Sequence, residues 1–200
     1  MKGLFKRVAG VVLAAAMVIT SVACFNPVEA KAAQEYTLKK VYTLKVKNGA
    51  AFMDAPSLAD SEVTDVKRIF SASRIKNVKA SAYIPYYDNG YFKCTYKYRE
   101  NSKKKWVTKN GYLCTSDVAF DEDDGHSFYF SKSVSGKTNK SAQTYLIGFI
   151  PFKTLKADKK ITVRGINVNS NTGETRYKFN AKIKGVKTPL LVDTFAVDLQ

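Results

Sequence analysis

The stretch TRYKFNAKIK, residues 175–184, alternates without a break. Tyr177, Phe179, Ala181 and Ile183 fall on one side, and Arg176, Lys178, Asn180, Lys182 and Lys184 on the other. A period of two over that length puts one side on a core and the other in water only if the backbone is extended, so it predicts a half-buried β-strand. The pattern recurs in VYTLKVK, where Tyr42, Leu44 and Val46 oppose Thr43, Lys45 and Lys47. It recurs again in YFKCTYKY, with Phe92, Cys94, Tyr96 and Tyr98 against Lys93, Thr95 and Lys97. Turn signals at Asp88-Asn89-Gly90, Lys109-Asn110-Gly111 and Asn171-Thr172-Gly173 separate such runs. Only SEVTDVKRIF breaks the rule: Val63, Val66, Ile69 and Phe70 keep nearly helical spacing, which suits one helical turn or a bent strand. The fold class expected is all-β.

The first residues bear on compartment. Lys2, Lys6 and Arg7 precede an uncharged apolar run from Val8 to Ala23, and small residues follow at Ala30, Ala32 and Ala33. This is the layout of a secretory signal peptide over residues 1–33, and the apolar run is short of the ~20 residues that span a bilayer. A lipoprotein reading, in which Cys24 is acylated, rests on Ser21-Val22-Ala23-Cys24 and is the weaker pattern because Ser21 stands where a branched aliphatic residue is usual. Either way the expected location is extracellular and associated with the cell wall. The whole chain carries a formal charge of +16, and removing residues 1–31 leaves 29 cations against 16 anions, a balance of +13. Outside a cell, so basic a protein should gather on anionic envelope polymers; nucleic acid is not expected as a partner.

Two phrases, NGYFKC and NGYLC, each place a cysteine beyond an Asn-Gly turn. In an oxidising compartment, Cys94 and Cys114 on adjoining strands are expected to bond, closing a loop worth roughly 3 kcal/mol; two buried free thiols are the alternative. Residues 121–126 form a second landmark, because Asp121, Glu122, Asp123 and Asp124 cluster there in an otherwise cationic chain. They are expected to form an inter-domain linker, with calcium binding as the sharper reading; the spacing matches no EF-hand loop.

Residues 42–120 resemble the bacterial Src-homology-3-type (SH3-like) domain. Ala50-Ala51-Phe52-Met53-Asp54-Ala55-Pro56-Ser57 is similar to that family's early L-N-V-R-x-G-P-S stretch, Gly90-Tyr91-Phe92-Lys93-Cys94 to its G-W-x-K-V strand, and Asn110-Gly111-Tyr112-Leu113 with Val118 to its closing G-x-x-G-Y-V. Met53, Ala51 and Ala55 depart from the arginine, asparagine and glycine of that pattern, and the loop YRENSKKKWVTKNG is longer than usual. The resemblance implies a small barrel over residues 36–120. Residues 127–200 supply at least four further strands, for which an immunoglobulin-like or other small antiparallel sandwich is expected.

The motifs of an enzyme are missing. His126 is the only histidine, no serine lies in a G-x-S-x-G context, and neither H-E-x-x-H nor a phosphate loop occurs. No catalytic residue or cofactor is expected. Binding is the better candidate. Lys103, Lys104 and Lys105 precede Trp106, the only tryptophan, in a loop that joins cations to a flat ring. Arg176, Lys178, Lys182 and Lys184 form a second cationic stripe. The expectation is a secreted, non-catalytic protein that recognises peptidoglycan or an anionic cell-wall polymer, or alternatively another extracellular protein. Each patch also has a plain structural reading, as soluble strand surface or, for Trp106, as core.

Overall fold

The computed structural model describes residues 34–54, 66–68, 74–86, 88–99, 105–120 and 126–200. The signal segment, Cys24, and the expected linker apart from His126 lie outside them. Every regular element described is a strand or a 3-10 turn. The first half contributes β1 (Tyr36–Val46), β2 (Ala51–Met53), β3 (Val66–Arg68), β4 (Ile75–Tyr86), β5 (Asn89–Tyr98), β6 (Val107–Cys114) and β7 (Val118–Ala119). The second contributes β8 (His126–Thr138), β9 (Ala142–Tyr145), β10 (Pro151–Leu155), β11 (Lys160–Val168), β12 (Thr175–Ile183), β13 (Val186–Asp193) and β14 (Val197–Leu199). The alternating stretches behave as expected: Phe92, Cys94 and Tyr96 on β5, and Tyr177 and Phe179 on β12, are buried. Of the stretch with mixed spacing, Val66–Arg68 is extended.

The strands form one curled antiparallel sheet in the order β10-β9-β13-β12-β11-β8-β1-β4-β5-β6-β2-β3, with β14 on β8 and β7 on β1. Counted outward from the β1·β8 seam, each half presents its first, fourth, fifth, sixth, second and third strands, and lays its seventh against its first. The registers repeat too. The β1·β4 ladder slips between Thr37↔Ala82 and Tyr42↔Ala80, and the β8·β11 ladder slips between Tyr129↔Gly165 and Val134↔Val163. A 3-10 turn precedes the last strand in both halves, at Thr115–Asp117 and Thr194–Ala196. It is fastened alike, by Lys47 N–H to the Asp117 carbonyl at 2.9 Å and by Asn139 N–H to the Ala196 carbonyl at 3.1 Å. Leu38↔Phe130, the pair that joins β1 to β8, couples residues at the same place in each half, so a local two-fold axis passes between them. The chain is therefore one strand plan used twice. The described residues thus form one continuous antiparallel sheet with a repeated plan.

The halves share their interior, and residues 33–200 form one compact unit. Tyr36 stacks on Phe130 at 5.1 Å, Phe92 meets Phe128 at 4.6 Å, and Tyr83 lies 6.4 Å from Phe130. Such aromatic pairs add about 0.5–1.5 kcal/mol beyond their burial. A buried polar seam then fixes their register. The Tyr83 hydroxyl lies 2.9 Å from Thr175 Oγ1, Thr175 N–H donates to the Asp88 carbonyl at 2.6 Å, and the Thr115 hydroxyl donates to the Gly173 carbonyl at 2.8 Å. Gly173 is held at φ +77°, and a Cβ there would collide with the backbone of Ser116, leaving no room for a side chain.

The expected disulfide is absent. In the β5·β6 ladder Cys94 faces Gly111, whereas Cys114 faces Tyr91. Directly opposed residues share a face and successive residues alternate, so Cys94 belongs to the buried face of Phe92 and Tyr96 while Cys114 sits on the other. Both thiols are free.

Burial raises the Cys94 thiol from an ordinary 9.0 to about 12 and the Tyr36 phenol from 10.0 to about 12, and it also pushes up Tyr83 and Tyr177. These acids hold their protons more tightly folded than unfolded. The stability they contribute is complete below the unfolded values and is lost as pH climbs from about 9 toward 12. The urea midpoint should hold steady to pH ~8.5 and fall continuously above it. A midpoint still unchanged near pH ~11 would contradict this burial.

Candidate functional site

The first expected site lies on the connection between β5 and β6. Lys103 and Lys104 fall outside the described residues. Lys105 is exposed and Trp106 is half-buried, its ring approached by Lys76 Nζ at 4.0 Å from the centroid and by the Arg99 guanidinium at 5.2 Å. The indole is thus neither core nor a bare platform. Two cations from neighbouring strands hold it, each such contact being worth about 0.5–1 kcal/mol where water has access.

The second expected site, the stripe on β12, divides. Arg176 is spent on structure: its Nε bonds Asp193 Oδ1 at 2.7 Å, and its guanidinium sits between the rings of Tyr145 and Phe149, at 4.2 and 4.6 Å. Lys178 reaches Ser127 Oγ and the Tyr129 hydroxyl, both at 2.9 Å. Lys182 and Lys184 remain exposed. Lys184 (φ +48°) and Gly185 (φ +82°) form the two-residue turn that reverses the chain into β13, a backbone with positive φ at both central residues that suits the twist of a hairpin.

Lys182 belongs to a feature that sequence patterning alone does not reveal. A groove of about 600 Å³ opens between β10, β11 and β12. Its apolar side includes Leu155, Ile161, Phe179 and Ala181. Lys153, Lys159, Lys160 and Lys182 stand around it with Gln200, and none of the described residues that line it is Asp or Glu. All four lysines are exposed, and none takes part in an ion pair among the described residues. The one acid close by in sequence, Asp158, is drawn away to Lys137 at 2.6 Å. Four like charges around one concavity make it a candidate site for an anion, because the field there adds and the walls exclude part of the screening solvent. The lysines come from two strands, a turn and a hairpin arm, so only the run Lys156-Ala157-Asp158-Lys159-Lys160 hints at them in one dimension.

His126 stacks against Phe120 and Phe128, at 5.8 and 5.1 Å. Among the described residues no group of three or more His, Cys, Asp or Glu side chains converges as metal ligands would, and no helix is long and apolar enough to cross a membrane. The acidic run that suggested calcium lies outside these residues. Compared with known proteins, the chain matches no family model, no curated protein and no solved structure.

Proposed function

We propose that this is a secreted, non-catalytic protein of the cell envelope that holds an anionic wall polymer. The observation that carries this reading is the four-lysine groove with no Asp or Glu among the described residues that line it. An ammonium group is a compact point charge suited to phosphate, and the apolar side of the groove can lie along the carbon skeleton between phosphates. In this reading the SH3-like resemblance of residues 42–120 stands for the first half, and the repeated strand plan extends a barrel of that kind to residues 126–200. The test is sedimentation of the purified protein with cell walls, native or stripped of their phosphate-containing polymer, over a range of salt. Binding should vanish on stripped walls and fall steeply between about 50 and 300 mM salt, as the Debye length shortens below ~10 Å. Salt-insensitive capture, or equal capture by stripped walls, would defeat it.

A second reading, an extracellular protein-binding module, draws on one observation. Ile147, Ile150 and Phe152 are exposed around the β9–β10 turn, an apolar tip of the kind that marks protein contacts. Such a contact would persist in high salt, which separates it from the first reading.

A further inference from the structure

We infer that the protein is bivalent, with a second anion site in the first half at the place equivalent to the groove, so that one molecule bridges two polymer segments. This inference rests on the polyanion-binding reading above. The equivalence follows from register. Tyr42↔Ala80 and Val134↔Val163 occupy the same rung of the first-to-fourth-strand ladder, and Ala80↔Cys94 and Val163↔Phe179 the same rung of the next. Counting along each strand from those rungs places Lys97 where the second half has Lys182, and Lys76, the residue opposite Lys97, at the Lys159-Lys160 entry to β11. Lys67 occupies on β3 the backbone position that Lys153 occupies on β10, since Ala51↔Arg68 and Gln143↔Thr154 are the matching rungs. Three of the four groove lysines therefore have lysine counterparts. The fourth has no separate counterpart, because Asn77 lies in the β-bulge between Lys76 and Lys79.

The two sites differ in how they are finished. Tyr96 stands where the groove has Ala181, and packs on Phe52 with ring centroids 4.0 Å apart. In the first half this buried pair occupies the space that lies open in the second. In exchange, the turn Lys184-Gly185 is replaced in the first half by the longer loop that bears Lys105 and Trp106. There Lys76 and Arg99 lie over a half-buried indole, and Lys97, opposite Lys76, and Lys105, next to Trp106 in the chain, are exposed. One half thus offers a cationic groove and the other a cationic surface with an aromatic ring. The two-fold between Leu38 and Phe130 sets them on opposite sides of the β1·β8 seam, too far apart in sheet order to merge into one patch. Two sites on a rigid body raise the effective concentration of polymer at the second once the first is filled, and they cross-link when the segments belong to different chains.

The experiment uses the full chain with two probes. Calorimetric titration with a short linear oligophosphate counts sites, and light scattering with long-chain inorganic polyphosphate reads bridging. The intact protein should bind two oligophosphates, and scattering should rise and then fall as protein is added. Lys159→Gln/Lys160→Gln/Lys182→Gln should leave one site, as should Lys76→Gln/Lys97→Gln/Lys105→Gln, and each should abolish scattering while polymer binding persists. A charge-matched control, Lys39→Gln/Lys40→Gln/Lys132→Gln, should keep both sites and the scattering. One site in the intact protein, or scattering lost equally in the control, overturns bivalence and leaves polyanion binding standing. Absence of any phosphate binding overturns both.

Discussion

Replacing Tyr83 with alanine is expected to melt both halves of the protein at once. Its side chain is fully buried, with the ring pressed against Gly90 and beside Phe92 and Phe130, and its hydroxyl 2.9 Å from Thr175 Oγ1 across the seam. Deleting a buried aromatic ring costs about 3–5 kcal/mol. This deletion also removes a hydroxyl partner of Thr175, which keeps the Asn89 carbonyl at 3.1 Å. A loss of ~4 kcal/mol is a large share of the 5–15 kcal/mol that holds an ordinary domain. The shared aromatic interior predicts one transition. Trp106 fluorescence reports the first half alone and far-ultraviolet dichroism reports both, so the two melting curves should coincide in the intact protein and in Tyr83→Ala. If half of the dichroism survives after the fluorescence has changed, the halves are independent and the seam is only a contact. Tyr83→Phe should cost about 1 kcal/mol, which isolates the hydroxyl from the ring.

The second large effect is on binding. Ala181→Tyr should close the groove by copying into the second half what Tyr96 does in the first. A phenol ring there has room, because the cavity is about 600 Å³ and Thr144 stands where Phe52 supports Tyr96. The lysines keep their charges, so long-range attraction persists while the bound chain loses its seat. Affinity for phosphate polymer should fall about tenfold, equivalent to ~1.4 kcal/mol, with melting temperature unchanged or raised. Neutralising Lys153, Lys159, Lys160 and Lys182 acts on the other component. At up to about 1 kcal/mol per exposed ion contact, it should cut low-salt affinity tens-fold and flatten the salt dependence. If Ala181→Tyr binds as the parent does and remains folded, the polymer runs over the lysines without entering the groove.

The side-chain alternation of β5 and β12 was legible because burial on one face imposes its period directly on the chain. Pairing was not. The reading of a Cys94–Cys114 bond assumed that two similar turn-and-strand phrases meet in step. The ladder instead sets Cys114 against Tyr91 and Cys94 against Gly111. Arg176 looked like any outward cation of its stripe; only the fold brings Asp193 opposite it and Tyr145 and Phe149 around it. The repeat is hidden in the sequence for a related reason. Its two copies agree in strand order, turns and most rungs while sharing few side chains, among them the lysines matched above, Lys93 with Lys178, Thr115 with Thr194 and Val118 with Val197. The nearest thing to a written trace is Leu113-Cys114-Thr115-Ser116-Asp117-Val118 beside Val192-Asp193-Thr194-Phe195-Ala196-Val197. The buried threonines and valines recur there because both halves make the same 3-10 turn.

The pairing of Leu38 with Phe130 has a consequence for how the chain meets copies of itself. A strand edge that binds its own equivalent is self-complementary, the geometry by which identical subunits form closed pairs. Here partner and template are joined in one polypeptide, so β8 occupies the edge that β1 would otherwise offer to a stranger, and the symmetry closes inside a single molecule. A product ending before residue 126 would carry β1 with that edge uncovered, inviting the β1 of another truncated copy to take the place of β8.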